Sequence, residues 1–287
     1  DMLVAINGIH KSGNVWVPVN IKLEPQAIDY VLRHAEVSCV VVDDAIRAQP
    51  GMASVLDALA VPLIMTMAAA APGGTTLHQA LQGRATSLPE IDIDGHQPAL
   101  IMYTSGTTGH PKGVVHSHAS VYSAIVGNLT DFALTPSDVI TGLLPLFHCG
   151  QHVISTCACA IGASVVLARA FVPGEVARLV TEEKVTVFVG LPMMYAALLA
   201  DATYATPDYS AMRLCIYAMA PMPRPLIAQI AQKMTTNILL VTGQTEIYPS
   251  TMSFRPVQNP QRDANYWGIC GVACEAAIMD DAGRLLP

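Results

Sequence analysis

Short runs of aliphatic and β-branched residues alternate along this chain with stretches whose apolar positions recur at helical spacing. The helical pattern is clearest at 24–36, where Pro25 suits a first turn and Ala27, Ile28, Val31, Leu32 and Ala35 share one face. Further helices are predicted over 53–60, 118–129 (with Ser117 as N-cap), 173–184, 192–201 and 224–234. Strands are predicted at 38–42, 61–66, 99–103, 114–116, 139–144, 163–168, 185–189, 214–217 and 238–241. Such alternation predicts an α/β fold with two mostly parallel, doubly covered sheet subdomains packed together. The first would span 1–135 and the second 136–250. The alternation stops after about residue 250, and 276–286 reads as a hairpin around Asp280-Asp281-Ala282-Gly283.

Composition sharpens this picture. Hydrophobic residues make up 52% of the 287 and charged residues only 13%, about half the usual charged share of ~25%. Much of the chain therefore faces a deep core, a membrane or a neighbouring domain. Residues 139–168 carry no charge and are long enough to cross a bilayer. Pro145, His148, Gly150, Gln151 and His152 crowd its first half, however, which favours a buried strand–turn–helix. The uncharged region 58–83 is broken by Pro62, Pro72, Gly73 and Gly74. The opening Asp1-Met2-Leu3 lacks the basic start of a signal peptide, so a cytoplasmic protein is expected.

Lys plus Arg total 15 against 22 Asp plus Glu, a net charge of −7 that leaves no basic surplus for a nucleic-acid backbone. The seven cysteines are dispersed, mostly in apolar runs, as expected of reduced, buried thiols. Cys157-x-Cys159 and Cys270-x3-Cys274 are poor zinc spacings. His148-x3-His152 has the spacing of a helical zinc pair, but Cys149 stands where a metalloprotease needs Glu.

The densest signal is Tyr103-Thr104-Ser105-Gly106-Thr107-Thr108-Gly109-His110-Pro111-Lys112-Gly113. Glycines let backbone N–H groups turn toward one anion, hydroxyls add donors and Lys112 adds a mobile positive charge. A polyphosphate suits such a loop. It is not a Walker loop, because Gly106 and Gly109 are three apart and Lys112 precedes Gly113.

This segment resembles the signature of the adenylate-forming (AMP-binding) superfamily, in its acyl-CoA synthetase and fatty-acid–CoA ligase branch. Further segments are similar in the expected order: 4–8 and 13–20 upstream, the acid-binding turn Pro145-Leu146-Phe147-His148, and the second nucleotide motif Gly243-Gln244-Thr245-Glu246. Gly268, Gly271 and the 281–283 hairpin resemble the lead into a small β-barrel, which 251–287 would begin. The resemblance implies that a carboxylic acid is activated by Mg-ATP to an acyl-adenylate and pyrophosphate, and the acyl group is then passed to coenzyme A. Thr104, Ser105, Gly106, Thr107, Thr108, Gly109 and Lys112 would hold the β- and γ-phosphates, Thr245 the α-phosphate, and Glu246 with Thr104 the Mg²⁺. His148 would gate the acid pocket, while His116 and His118 are read as structural. Met193, Met194, Met219 and Met222 suit either an acyl tunnel or core filling.

Two departures stand out. The adenine turn, Gly-Gly-Ala-Pro-like in the family, is Ala218-Met219-Ala220-Pro221, and the aromatic residue expected before Gly243 is Thr242. The family pattern also continues past Pro287 to a mobile C-terminal domain, so these residues alone are expected to be inactive or weakly active. A carrier-protein-loading adenylation domain and a nucleotide-binding module without turnover are the alternatives. The expected partners are small molecules (the acid, ATP and coenzyme A), with no membrane span. A homodimer is entertained, without a sequence signal for it.

Overall fold

Helix α1 (Met2–Lys11) buries only Ile6, so no apolar stripe announces it in the sequence. A computed structural model describes residues 2–65, 75–87, 90–104, 110–204, 206–248, 250–262 and 266–286. The chain forms two units, 1–121 and 122–287.

In the first unit, α2 (Pro25–His34) starts on Pro25, whose missing N–H costs nothing in a first turn, and buries Ile28, Val31 and Leu32. Ile28 and Leu32 share a core with Val40 of β1 (Val40–Val42) and with Met52 and Leu56 of α4 (Met52–Ala58). Between these elements, the Asp43 carboxylate caps the short α3 (Asp44–Arg47). β2 (Leu63–Met65) pairs parallel with β1, and β3 (Thr75–Thr76) pairs parallel with β2. Thr76 and Gln79 then form a capping box on α5 (Leu77–Leu81).

β4 (Pro98–Thr104) and β5 (Lys112–Ser117) pair antiparallel. The connection between them is shorter than the dozen or so residues a parallel crossover needs. Trp16 lies beside β4, donating its N–H to Ala99 O at 2.9 Å and accepting from Ile101 N at 2.9 Å. The His10 ring stands edge-on to both Trp16 and His118. Burial, then the charge of His118, holds His10 down to about 4. α6 (His118–Asp131) begins where the Ser117 hydroxyl accepts from the Ser120 N–H at 3.1 Å, as an N-cap should.

The second unit is built on β6 (Val139–Gly142), α7 (Cys149–Ile161), β7 (Ser164–Leu167), α8 (Pro173–Glu182), β8 (Val187–Gly190), α9 (Pro192–Ala200), β9 (Leu214–Tyr217), α10 (Arg224–Lys233) and β10 (Ile238–Gly243). The strands lie in the order β10-β9-β8-β6-β7, all parallel. β11 (Ser250–Phe254) and β12 (Ile269–Cys270) extend the β10 edge antiparallel. Every residue of β8 and β9 is buried, so these strands read as continuous apolar runs. Tyr195 is fully buried, and its hydroxyl donates to Ile216 O at 2.7 Å and lies 3.0 Å from Phe188 O. Gly268 sits at φ +105°, where a Cβ would fall 1.9 Å from Ser253 O, so only glycine fits beside β11. The last two strands, β13 (Ile278–Met279) and β14 (Leu285–Leu286), form a separate hairpin closed by Asp280 N donating to Arg284 O at 3.0 Å.

A polar chain runs along the amino ends of the parallel strands. Asp138, before β6, accepts from Thr186 Oγ1 and Arg213 Nε, each at 2.7 Å, and again from Arg213 Nη2. Arg213 Nη2 also donates to Ala133 O at 2.9 Å, and Asn237 Nδ2 donates to Arg213 O at 3.0 Å. These bonds stitch together segments far apart in sequence.

Among the described residues no helix is long and apolar enough to cross a membrane. The thiols are free, but only Cys157 and Cys215 are buried, whereas Cys39 and Cys159 are exposed. The expectation of buried cysteines fails there because β1 begins only at Val40 and Cys159 lies on an exposed part of α7.

Candidate active site

Each unit carries its own group of candidate residues. In the first, Thr104 ends β4 and Lys112 opens β5, and the two are cross-strand partners, with Tyr103 opposite Gly113 one step back. The hairpin therefore brings together a hydroxyl and an ammonium that lie eight positions apart in sequence. Thr104 is half-buried and Lys112 exposed. Ser105, Gly106, Thr107, Thr108 and Gly109 lie outside the described residues. His116 and His118 belong to the framework: His116 is buried on β5 opposite Leu100, and His118 packs on His10.

In the second unit the candidate residues gather at the carboxyl ends of the parallel strands, where open α/β sheets present their crevices. Pro145–His148 follows β6, Ala218–Pro221 follows β9, and Gln244 to Glu246 follow β10. His148 is the N-cap residue of α7, with φ −96° and ψ 142° and no side-chain cap bond. The turn before it is fixed by Gln151, which is fully buried. Gln151 Oε1 accepts from Leu144 N at 3.0 Å and its Nε2 donates to Ser155 Oγ at 3.2 Å. The Phe147 and His148 rings lie 4.6 Å apart.

Thr245, Glu246 and Ile247 form a single 3-10 turn. It meets the start of α7 directly, with Cys149 Sγ 3.8 Å from Thr245 Oγ1. Burial pushes the Cys149 thiol up, and the nearby Glu246 carboxylate adds to the rise, so Cys149 stays a neutral thiol. Behind this contact, Tyr248 and His152, each 1% exposed, are hydrogen-bonded through the phenol and Nδ1. Tyr248 takes φ +34°, a strained backbone held in place beside the acidic residue. Glu246 itself is exposed and forms no ion pair among the described residues. An unengaged hard oxygen ligand of this kind fits Mg²⁺.

Sequence reasoning singled out the His148 and Glu246 segments but gave no bracing role to Gln151, His152 or Tyr248. One signal was available: a polar side chain within an uncharged, buried run must find a partner.

The adenine-turn departures have structural counterparts. Met219 sits at φ +70° with its side chain 69% exposed, so the backbone keeps a left-handed turn where the family places glycine. Met219→Gly should therefore raise stability, by about 1 kcal/mol, read as a higher urea midpoint; an unchanged or lower midpoint would contradict the strain. The Thr242 hydroxyl is buried with no hydrogen-bond partner among the described residues. The four methionines divide: Met194 and Met222 are core residues, while Met193 is 70% exposed at the start of α9.

The long-chain-fatty-acid–CoA ligase FadD13 of Mycobacterium tuberculosis is 31% identical over 246 residues, covering 82% of this chain and 45% of that protein. The indoleacetate–CoA ligase of Aromatoleum aromaticum is 27% identical over 286 residues, covering 99% of this chain and 55% of that protein. The chain thus spans about half the length of the curated relatives it matches. Among solved structures, the anthranilate CoA ligase AuaEII in complex with anthranoyl-AMP superposes with a TM-score of 0.87 at 25% identity, over 99% of this chain and 55% of that one. The inhibitor-bound N-terminal domain of FACL13 from Mycobacterium tuberculosis gives 0.83 at 26% identity, over 98% and 69%. The sequence pattern of the family described as AMP-binding enzyme matches residues 1–287. With that pattern running the full length of the chain over an α/β fold shared with such enzymes, the protein belongs to the AMP-binding enzyme family.

Proposed function

We propose that the protein is an AMP-forming acid–CoA ligase acting on an apolar, fatty-type acid in the cytoplasm. A carboxylate oxygen attacks the α-phosphorus of ATP, the bond to pyrophosphate breaks, and an acyl-adenylate forms. The sulfur of coenzyme A then attacks the acyl carbon and expels AMP. The difficulty of the first step is bringing two anions together, so positive charge and alignment must supply the catalysis.

Lys112, with Thr104 and the loop through Gly109, neutralises the β- and γ-phosphates. Thr245 donates to the α-phosphate, and Glu246 holds Mg²⁺, which supplies charge neutralisation on the phosphates. His148 stands at the entrance of the acid pocket. Ala218 to Pro221, Thr242, Gly243 and Gln244 flank the adenine. Thr242 offers no aromatic face, so base binding relies on shape more than on stacking.

The observation that carries this reading is the contact between Cys149, adjoining His148, and Thr245. This contact supports the reading because the turn at 145–148 and Thr245 are then neighbours, and a carboxylate attacking an α-phosphorus needs its two binding segments side by side. The exposed Met193 and Met219 at the same strand ends suit an apolar acid. The names of the relatives cover fatty, feruloyl and indoleacetate ligases, a class that shares CoA as acceptor.

Acid-dependent pyrophosphate–ATP exchange by the full-length protein tests the proposal. Exchange stimulated by fatty acids, with acyl release dependent on CoA, is expected. Mg-ATP binding without exchange for any acid would overturn it in favour of a nucleotide-binding module. Release only to a carrier protein would overturn the acceptor.

A further inference from the structure

Four rings join the flanks of the Thr/Gly loop to one helix. Tyr103 immediately precedes Thr104, and its ring lies over Gly113: a Cβ there would fall 2.9 Å from Ile101 Cγ2 and 3.2 Å from Tyr103 Cζ. From that position the Tyr103 hydroxyl reaches His34 Nδ1 at the end of α2, at 2.7 Å. His34 stacks on Tyr30, one turn earlier, with centroids 5.2 Å apart and planes at 29°. Tyr30 stacks in turn on His110, at 4.6 Å and 21°. His110 immediately follows Gly109, the last residue of the candidate phosphate loop. The ladder Tyr103–His34–Tyr30–His110 thus begins on one side of the loop and ends on the other.

Its two middle rungs belong to a helix that is itself anchored. Ile28 and Leu32 of α2 are locked in a core with Val40, Met52 and Leu56. The rungs do not contribute to that core: Tyr30 is half-buried and His34 exposed. Beyond each other, these two side chains touch Tyr103 and His110.

We infer that Tyr30 and His34 are positioning residues for nucleotide binding: through Tyr103 and His110 they set the cross-strand partners Thr104 and Lys112 to meet the triphosphate. The inference rests on reading the Thr/Gly loop as the triphosphate site. Preorganised donors act mainly on nucleotide affinity, because the ordering cost falls on binding. Loss of a rung should therefore change binding of Mg-ATP and leave the acid pocket alone.

The test is a Mg-ATP titration of Tyr30→Leu, His34→Ala and Tyr103→Phe beside Lys112→Ala, with kcat and KM of the full-length protein in pyrophosphate exchange. Each ladder variant is expected to raise the Kd and KM for Mg-ATP by about tenfold, as a loss near 1.4 kcal/mol does. The KM for the acid and kcat should stay within about twofold. Tyr30→Phe, which keeps the stack, and His34→Gln, which keeps a partner for the phenol, should restore most of the affinity. Tyr103→Phe removes only a hydroxyl and keeps the test valid should a larger change unfold the unit. If Lys112→Ala weakens Mg-ATP binding while the ladder variants bind normally, the rings are mere packing and the inference falls. If Lys112→Ala itself binds normally, the phosphate reading beneath it falls.

Discussion

Glu246→Ala should lower acyl-adenylate formation by roughly two to three orders of magnitude, the usual scale for removing a group that stabilises developing charge. Lys112→Ala should cost a similar factor, expressed more in Mg-ATP affinity, as its proposed contact with the outer phosphates implies. The Glu246 defect should ease at high Mg²⁺, since a weakened metal site fills by mass action, whereas the Lys112 defect should not. Neither variant should shift the unfolding midpoint, because both side chains are exposed and in no ion pair among the described residues. Single-turnover adenylation at several Mg²⁺ concentrations checks this, and full activity in either variant would remove that residue from the mechanism.

The second large effect concerns stability. Burial alone would raise the Asp138 carboxyl, but hydrogen bonds from Arg213, Thr186 and the Thr135 N–H, together with the guanidinium charge, outweigh it and hold the group at about 2. The folded value lies below the ordinary 3.8. The contribution is therefore complete above that value and is lost as pH falls toward about 2, a change of about 2 kcal/mol. The two partners are unequal, with the Asp138 side chain 2% exposed and Arg213 35%. Arg213→Met strands a buried carboxylate and should cost about 3 kcal/mol at neutral pH. Asp138→Asn leaves a guanidinium that water can reach and should cost about 1 kcal/mol. Urea midpoints for the two variants decide the matter, and equal losses would contradict the asymmetry. In Arg213→Met the acid limb of stability should also begin at higher pH.

The apolar pattern located most of the second unit because its strands are buried on both faces. The prediction of 214–217 coincides with β9, and 224–234 differs from α10 by one residue. It missed α1, which buries one side chain, and it could not tell that β4 and β5 pair antiparallel. Periodicity reports burial, whereas pairing direction depends on connection length. The candidate residues were visible because so dense a run of glycine, hydroxyl and lysine residues is unusual in a short span. Their supports were not, since each rests on a partner distant in sequence: His34 and Tyr103 are 69 positions apart, His152 and Tyr248 are 96. Met219 shows the same limit from the other side. The missing glycine suggested an altered turn, yet the backbone keeps the left-handed conformation that glycine would favour.

The proposed nucleotide site of the second unit requires that Thr245 and Glu246, neighbours on one 3-10 turn, serve the same magnesium-bound nucleotide. A double-mutant cycle on Mg-ATP affinity, using Thr245→Ala, Glu246→Ala and the pair, decides this. The combined loss should depart from the sum of the single losses by about 1 kcal/mol or more, because the two groups share one ligand. Losses that add to within about 0.3 kcal/mol, or a single variant that binds Mg-ATP as tightly as the unaltered protein, would contradict it.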